Sequence, residues 1–141
     1  MPLLNIKREI LIIEDDHSFH MILKKTFFAL DPNLTIHSFF DGLDAIEYVR
    51  DPMEEDERAY KSIILLDLTM PILDGWGFLD LFHNLPKSIK EHYTIFIVSS
   101  SINKSDRDRA LTYDCVKNYY SKPLLVADFN QILKSCDEAI E

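Results

Sequence analysis

Ile63-Ile64-Leu65-Leu66 is an unbroken run of large aliphatic residues, and it stops abruptly at Asp67. A strand with one wet face alternates apolar and polar residues, so a continuous run implies cover on both faces. That is the signature of a parallel sheet sandwiched between helices. A carboxylate at the carboxyl end of such a strand sits where ligands and chemistry collect in open α/β sheets. On this stretch alone, a helix cap or turn residue is an equal reading of Asp67.

Three further runs end the same way. Glu9-Ile10-Leu11-Ile12-Ile13 leads into Glu14-Asp15-Asp16, and Thr94-Ile95-Phe96-Ile97-Val98 leads into Ser99-Ser100-Ser101. Val116-Lys117-Asn118-Tyr119-Tyr120 leads into Ser121-Lys122-Pro123. Between the strands lie segments of helical period. Phe19, Ile22, Leu23, Thr26, Phe27 and Leu30 predict a first helix that Asp31-Pro32-Asn33 stops. Leu34–Phe39 alternates as a second strand, and Asp41-Gly42 turns into a short helix carrying Leu43, Ile46 and Val49. Trp76, Phe78, Leu79 and Phe82 mark a third helix, followed by a loop around Pro86. A polar fourth helix is opened by Ser105-Asp106-Arg107-Asp108, which has the form of a capping box. Phe129, Ile132, Leu133, Cys136 and Ile140 share one face of the final helix.

These five β-α units predict a flavodoxin-like, doubly wound, five-stranded parallel sheet of order 2-1-3-4-5 with five helices. In that order the four polar-ended strands lie side by side, while the second strand, ending in Phe39-Phe40, stays at the edge. The chain reads as one domain over residues 1–141, with a core from about 9 to 138.

The composition is that of an ordinary globular protein, 47% apolar and 28% charged. A net charge of −9 argues against non-specific nucleic-acid or anionic-membrane binding. No apolar run approaches the ~18 residues of a membrane span, and Met1–Asn5 is too short and polar for a signal peptide. Cys115 and Cys136 lack metal-ligand spacing and read as reduced core residues of a cytoplasmic protein. The acidic segment Asp51–Glu57 reads as solvated linker.

Glu14, Asp15 and Asp67 would crowd three negative charges together, which is self-repelling unless something offsets them. Lys122 supplies one positive charge and a divalent cation two. Hard oxygen donors in a compact site suit Mg²⁺, whose remaining positions can take phosphoryl oxygens. Asp67 would then be a nucleophile for in-line phosphoryl transfer, with Ser99 donating to the phosphoryl group and Lys122 pairing with it. Beside these, Asp16 reads as an N-cap, Ser100 and Ser101 as turn residues and Trp76 as helix packing. His17, His20, His37, His83 and His92 show no spacing of a metal site or catalytic base. Lys122-Pro123 suits either a plain strand exit or a cis peptide.

From about Glu9 to Glu138 the chain resembles the response-regulator receiver domains of two-component signalling, the CheY-like family. The matching motifs are Glu14-Asp15, Asp67 with Met70-Pro71 and Asp74-Gly75, Ser99 after Val98, and Lys122-Pro123 with Tyr119 three residues earlier. The resemblance implies that Asp67 accepts a phosphoryl group from a histidine kinase or phosphotransfer protein. It implies Mg²⁺, with Mn²⁺ able to substitute, bound directly by Asp15 and Asp67, through water by Glu14 and through the backbone carbonyl of Thr69. Asp67 and Lys122 carry the chemistry; Ser99, Lys122 and Tyr119 bind the phosphoryl group and switch the face made by the fourth helix, last strand and final helix. Two departures stand out: Glu14 where the family usually has Asp, and Ser99 where it usually has Thr.

The expectation is a stand-alone receiver that catalyses only its own phosphorylation and dephosphorylation and contacts an unknown downstream protein, without nucleic-acid binding or membrane insertion. A phosphohydrolase built on Asp67 would want a second acid two residues on, where Thr69 stands. A degenerate, binding-only receiver would not need the full acidic, hydroxyl and lysine set.

Overall fold

Each strand's sequence decides which layer it belongs to. In the computed structural model, which describes residues 8–51 and 61–136, strands β1 (Glu9–Ile13), β2 (Thr35–Phe39), β3 (Ser62–Leu66), β4 (Tyr93–Ser99) and β5 (Val116–Ser121) form one sheet. Its order is β2-β1-β3-β4-β5, and every pairing is parallel. Helices α1 (His17–Leu30), α2 (Gly42–Val49), α3 (Gly75–His83), α4 (Lys87–Lys90), α5 (Lys104–Leu111) and α6 (Val126–Ser135) complete the chain order.

The continuous apolar runs are divided residue by residue between two cores. Leu11, Ile13, Ile64, Leu66, Ile95 and Ile97 pack under α2, α3 and α5, joined by Ile46, Phe78 and Phe82. Ile10, Ile12, Ile63, Leu65, Phe96 and Val98 pack under α1 and α6 with Leu23, Phe27, Phe129 and Ile132. Period-two alternation sends neighbours to opposite faces, so a strand covered on both sides must be apolar throughout.

Several expectations are corrected. Among the described residues there are six helices, because the loop around Pro86 contains the single turn α4. Pro86 supplies its N-cap and accepts from the Ile89 and Lys90 amides, and Ile89 packs on the core. The fourth and final helices of the sequence reading are therefore α5 and α6. The capping box at Ser105–Asp108 does not form: α5 starts at Lys104 behind Asn103, which makes no side-chain cap bond. On α1 the buried residues are His20, Leu23 and Phe27, while Ile22 and Leu30 face solvent. The predicted linker beyond Asp51 and the inward face at Ile140 lie outside the described residues. No described helix is long and apolar enough to cross a membrane.

Candidate phosphoacceptor and metal site

The parallel order sets the ends of β1, β3, β4 and β5 beside one another, and backbone bonds pin them there. The Asp67 amide donates to the Ile13 carbonyl at 3.0 Å and the Lys122 amide to the Ser99 carbonyl at 2.9 Å. The Glu14 amide donates to the Phe39 carbonyl at 3.0 Å. The site residues thus extend the sheet's own ladder by one step, which makes their placement a consequence of strand register.

The β3–α3 loop is held close by Gly75. A Cβ there would lie 2.5 Å from the Asp67 carbonyl oxygen and 2.7 Å from Leu68 Cα, closer than real side chains approach. Its amide donates to the Leu68 carbonyl at 3.0 Å. Within the same loop Ile72 has φ 70°, and the Leu73 amide donates to the Pro71 carbonyl at 2.8 Å across it. That is a γ-turn with positive central φ, a rare and strained conformation for a β-branched residue.

Glu14, Asp15 and Asp67 each offer a carboxylate oxygen, and all three atoms lie within 4.8 Å of one another. Glu14, Asp67 and Ser99 are buried, and Asp15 is half-buried. The Lys122 ammonium reaches in, 2.5 Å from Glu14 Oε1 and 3.5 Å from Asp67 Oδ2, with the Phe19 ring 4.6 Å away. The Lys122–Pro123 peptide is cis. Glu14 Oε2 also accepts from the Asp16 amide at 3.0 Å, and Asp67 Oδ1 accepts from the Thr69 amide at 3.4 Å. Asp16 itself caps α1, its carboxylate accepting from the Phe19 amide.

Burial pushes the Glu14 carboxyl up to about 7, and the negative charge of Asp67 adds to the effect. The bonds from Lys122 and the Asp16 amide pull the other way but do not overcome it. For Lys122 burial is again the largest single influence and acts to lower its pKa. The hydrogen bond to Glu14 and the charges of Asp67 and Glu14 together outweigh it, so the net shift is upward. One ammonium is shared between two carboxylates of a group of three, leaving the pocket short of positive charge. Three hard oxygen donors with that shortfall fit a small divalent cation.

Some contributors had no legible signal in sequence. His20 is buried, its Nδ1–H donating to the Glu14 carbonyl at 3.0 Å, and it stacks on Phe40 at 4.5 Å. Burial lowers its pKa, keeping the ring neutral and the Glu14 backbone fixed from one turn down α1. Tyr119 is buried, with its hydroxyl donating to the Ser101 carbonyl at 3.3 Å. Trp76 packs as expected but also carries the Arg109 guanidinium 4.0 Å over its ring.

The family model for the response regulator receiver domain matches residues 10–134. The chain belongs to that family. Receiver domains are signalling domains of two-component systems. Among curated proteins, the probable methanogenesis regulatory protein FilR2 of Methanothrix harundinacea is 27% identical over 134 residues, covering 92% of this chain and 81% of the relative. A response regulator receiver protein from Dyadobacter fermentans shares the fold with TM-score 0.78 and 22% identity, over 90% of this chain and 95% of that one. The receiver domain of a sensor histidine kinase from Pseudomonas aeruginosa, solved with magnesium coordinated in its active-site cleft, superposes with TM-score 0.69 and 19% identity. That match covers 92% of this receiver and 97% of the other.

Proposed function

We propose that this receiver takes a phosphoryl group onto Asp67 from a histidine kinase or phosphotransfer protein. The observation that carries the reading is the oxygen cluster of Glu14, Asp15 and Asp67 with the Lys122 ammonium bridging two of its members. An Asp67 oxygen attacks phosphorus in line, and the donor imidazole leaves as its P–N bond breaks. The carboxylate needs no general base at neutral pH, so positioning and charge neutralisation supply the catalysis. Lys122 offsets charge on the phosphoryl oxygens, and the Ser99 hydroxyl, at the end of the neighbouring strand, donates to one of them.

Asp15, Asp67, Glu14 and the Thr69 carbonyl would hold Mg²⁺. When bound, the ion draws negative charge from the phosphoryl oxygens as bonding changes. The output surface in this reading is α5, β5 and α6, acting by contact with a downstream protein. In this reading the switch runs through Ser99, the loop that follows it and Tyr119, whose hydroxyl reaches that loop at Ser101.

Incubation with a small phosphodonor such as acetyl phosphate tests the assignment. Labelling is expected with Mg²⁺, and its loss in Asp67→Asn, in Asp15→Asn and in chelator. Undiminished labelling of Asp67→Asn, with the phosphate mapped elsewhere, would overturn it.

A further inference from the structure

Four hydrogen bonds meet at Ser101. Its amide donates to Ser99 Oγ at 3.0 Å, and its carbonyl accepts from the Tyr119 hydroxyl at 3.3 Å. Its own hydroxyl donates to Asp106 Oδ2 at 2.7 Å and accepts from the Asn103 amide at 3.2 Å. One small residue therefore touches the site hydroxyl at the end of β4, the aromatic side chain of β5 and the first turn of α5.

The contact matters because little else secures that end of α5. Only Ala110 of the helix is buried, and Asn103 makes no side-chain cap bond. A single alanine removes little apolar surface from water, so the hydrophobic anchoring of this helix is small. At its far end Arg109 lies over Trp76. At its near end the short, charge-assisted bond from Ser101 to Asp106 ties the helix to the loop that leaves β4, and such bonds are roughly twice as strong as neutral ones.

We infer that the Ser101 hydroxyl is a positioning group that couples the orientation of Ser99 to α5 through Asp106. This rests on the reading of Asp67 as phosphoacceptor. When the Ser99 hydroxyl turns toward a phosphoryl oxygen, the Ser101 amide must re-aim the bond it makes to that hydroxyl. The Asn103 amide and the Asp106 carboxylate share the Ser101 oxygen, so they follow as a unit. Tyr119 binds only the backbone carbonyl, so a side-chain substitution separates the hydroxyl's contribution from the aromatic's.

The test is amide NMR of the full chain with Mg²⁺ and beryllofluoride, a phosphoryl mimic, in the parent, Ser101→Ala, Ser101→Thr and Asp106→Ala. In the parent, shifts are expected at 14–16, 67–69 and 99–101 and also across Lys104–Leu111. Ser101→Ala and Asp106→Ala should each keep the pocket shifts while those of α5 fall severalfold. Ser101→Thr, which retains the hydroxyl, should restore them, a rescue that a merely structural role for the residue would not require. Combining the two alanine changes should add nothing, as two ends of one bond demand. Pocket shifts with unchanged α5 shifts in Ser101→Ala would overturn the coupling alone. No pocket shifts in the parent would overturn the phosphoacceptor reading and the coupling with it.

Discussion

Strand β1 carries a glutamate at each end, and the two live in opposite electrostatic worlds. Glu9, at the amino end, accepts from the Ser62 hydroxyl at 2.9 Å and the Tyr48 hydroxyl at 3.0 Å, and its carboxylate lies 2.9 Å from His37 Nε2. Ser62 Oγ is in turn 2.8 Å from His92 Nε2. With Ser62 donating its one proton to Glu9, the His92 nitrogen must be the donor to Ser62. Among the described residues, each partner of Glu9 can donate to its carboxylate, so this network is structural. Glu14, just past the carboxyl end, shares one ammonium with Asp67 and has two other carboxylates for neighbours. The sheet invests in stability at one edge and leaves charge unbalanced at the other. An edge short of positive charge is one prepared to bind it.

The largest effect expected from this contrast is at the amino edge. Glu9→Ala removes the shared acceptor of Ser62, Tyr48 and His37 and should cost roughly 2–3 kcal/mol of stability, read by urea denaturation. Phosphodonor labelling of the folded variant at low denaturant should be unchanged. A loss of labelling without a loss of stability would break the division between the two edges.

A middle-sized effect concerns pH. Glu14 is raised from 4.5 to about 7, so between these values the folded chain holds a proton that the unfolded chain has released. That favours folding below the unfolded value, and the advantage is lost as pH rises through about 7. Glu14→Gln cannot ionise. In chelator, its stability relative to the parent should therefore increase from about pH 5 to about pH 8. Mg²⁺ affinity of the parent should rise over the same range, because the metal needs the deprotonated carboxylate. A parallel pair of stability profiles would remove Glu14 from the account.

The smallest effect sharpens the contrast in backbone terms. The site edge also stores strain, in Ile72 at φ 70° with 78% of its surface exposed. Ile72→Gly relieves that strain but frees the unfolded chain, so the net gain should be only about 0.5–1 kcal/mol. Loss of stability would mean that the isoleucine side chain, not the turn, dominates at this position.

The fold was largely legible because parallel strands announce themselves: covered on both faces, they run apolar through their middles, as Ile63–Leu66 of β3 and Ile95–Val98 of β4 do. The charged site was legible for a related reason. Glu14, Asp15, Asp67 and Lys122 each follow a strand, so order and register bring them together without any side-chain detail. What stayed hidden depends on a hydrogen bond or a rotamer rather than a period. Nothing in the spacing of His20 tells that it holds the Glu14 carbonyl, and Ser101 reads as one more serine in a turn. Tyr119 illustrates the same limit, since β5 fixes its position but not whether its ring points in or out. The turn at α4 escaped because Lys87–Lys90 is too short to show a helical period, and Pro86 reads equally as a loop.

The imbalance at the carboxyl edge is tested most directly by melting the parent and Asp67→Asn in chelator and again with Mg²⁺. Metal-free Asp67→Asn should melt at or above the parent, because removing one like charge relieves repulsion while Lys122 stays paired with Glu14. Mg²⁺ should raise the parent's melting temperature and do little for the variant's. A metal-free Asp67→Asn melting several degrees below the parent would contradict the claim that these carboxylates wait for a cation.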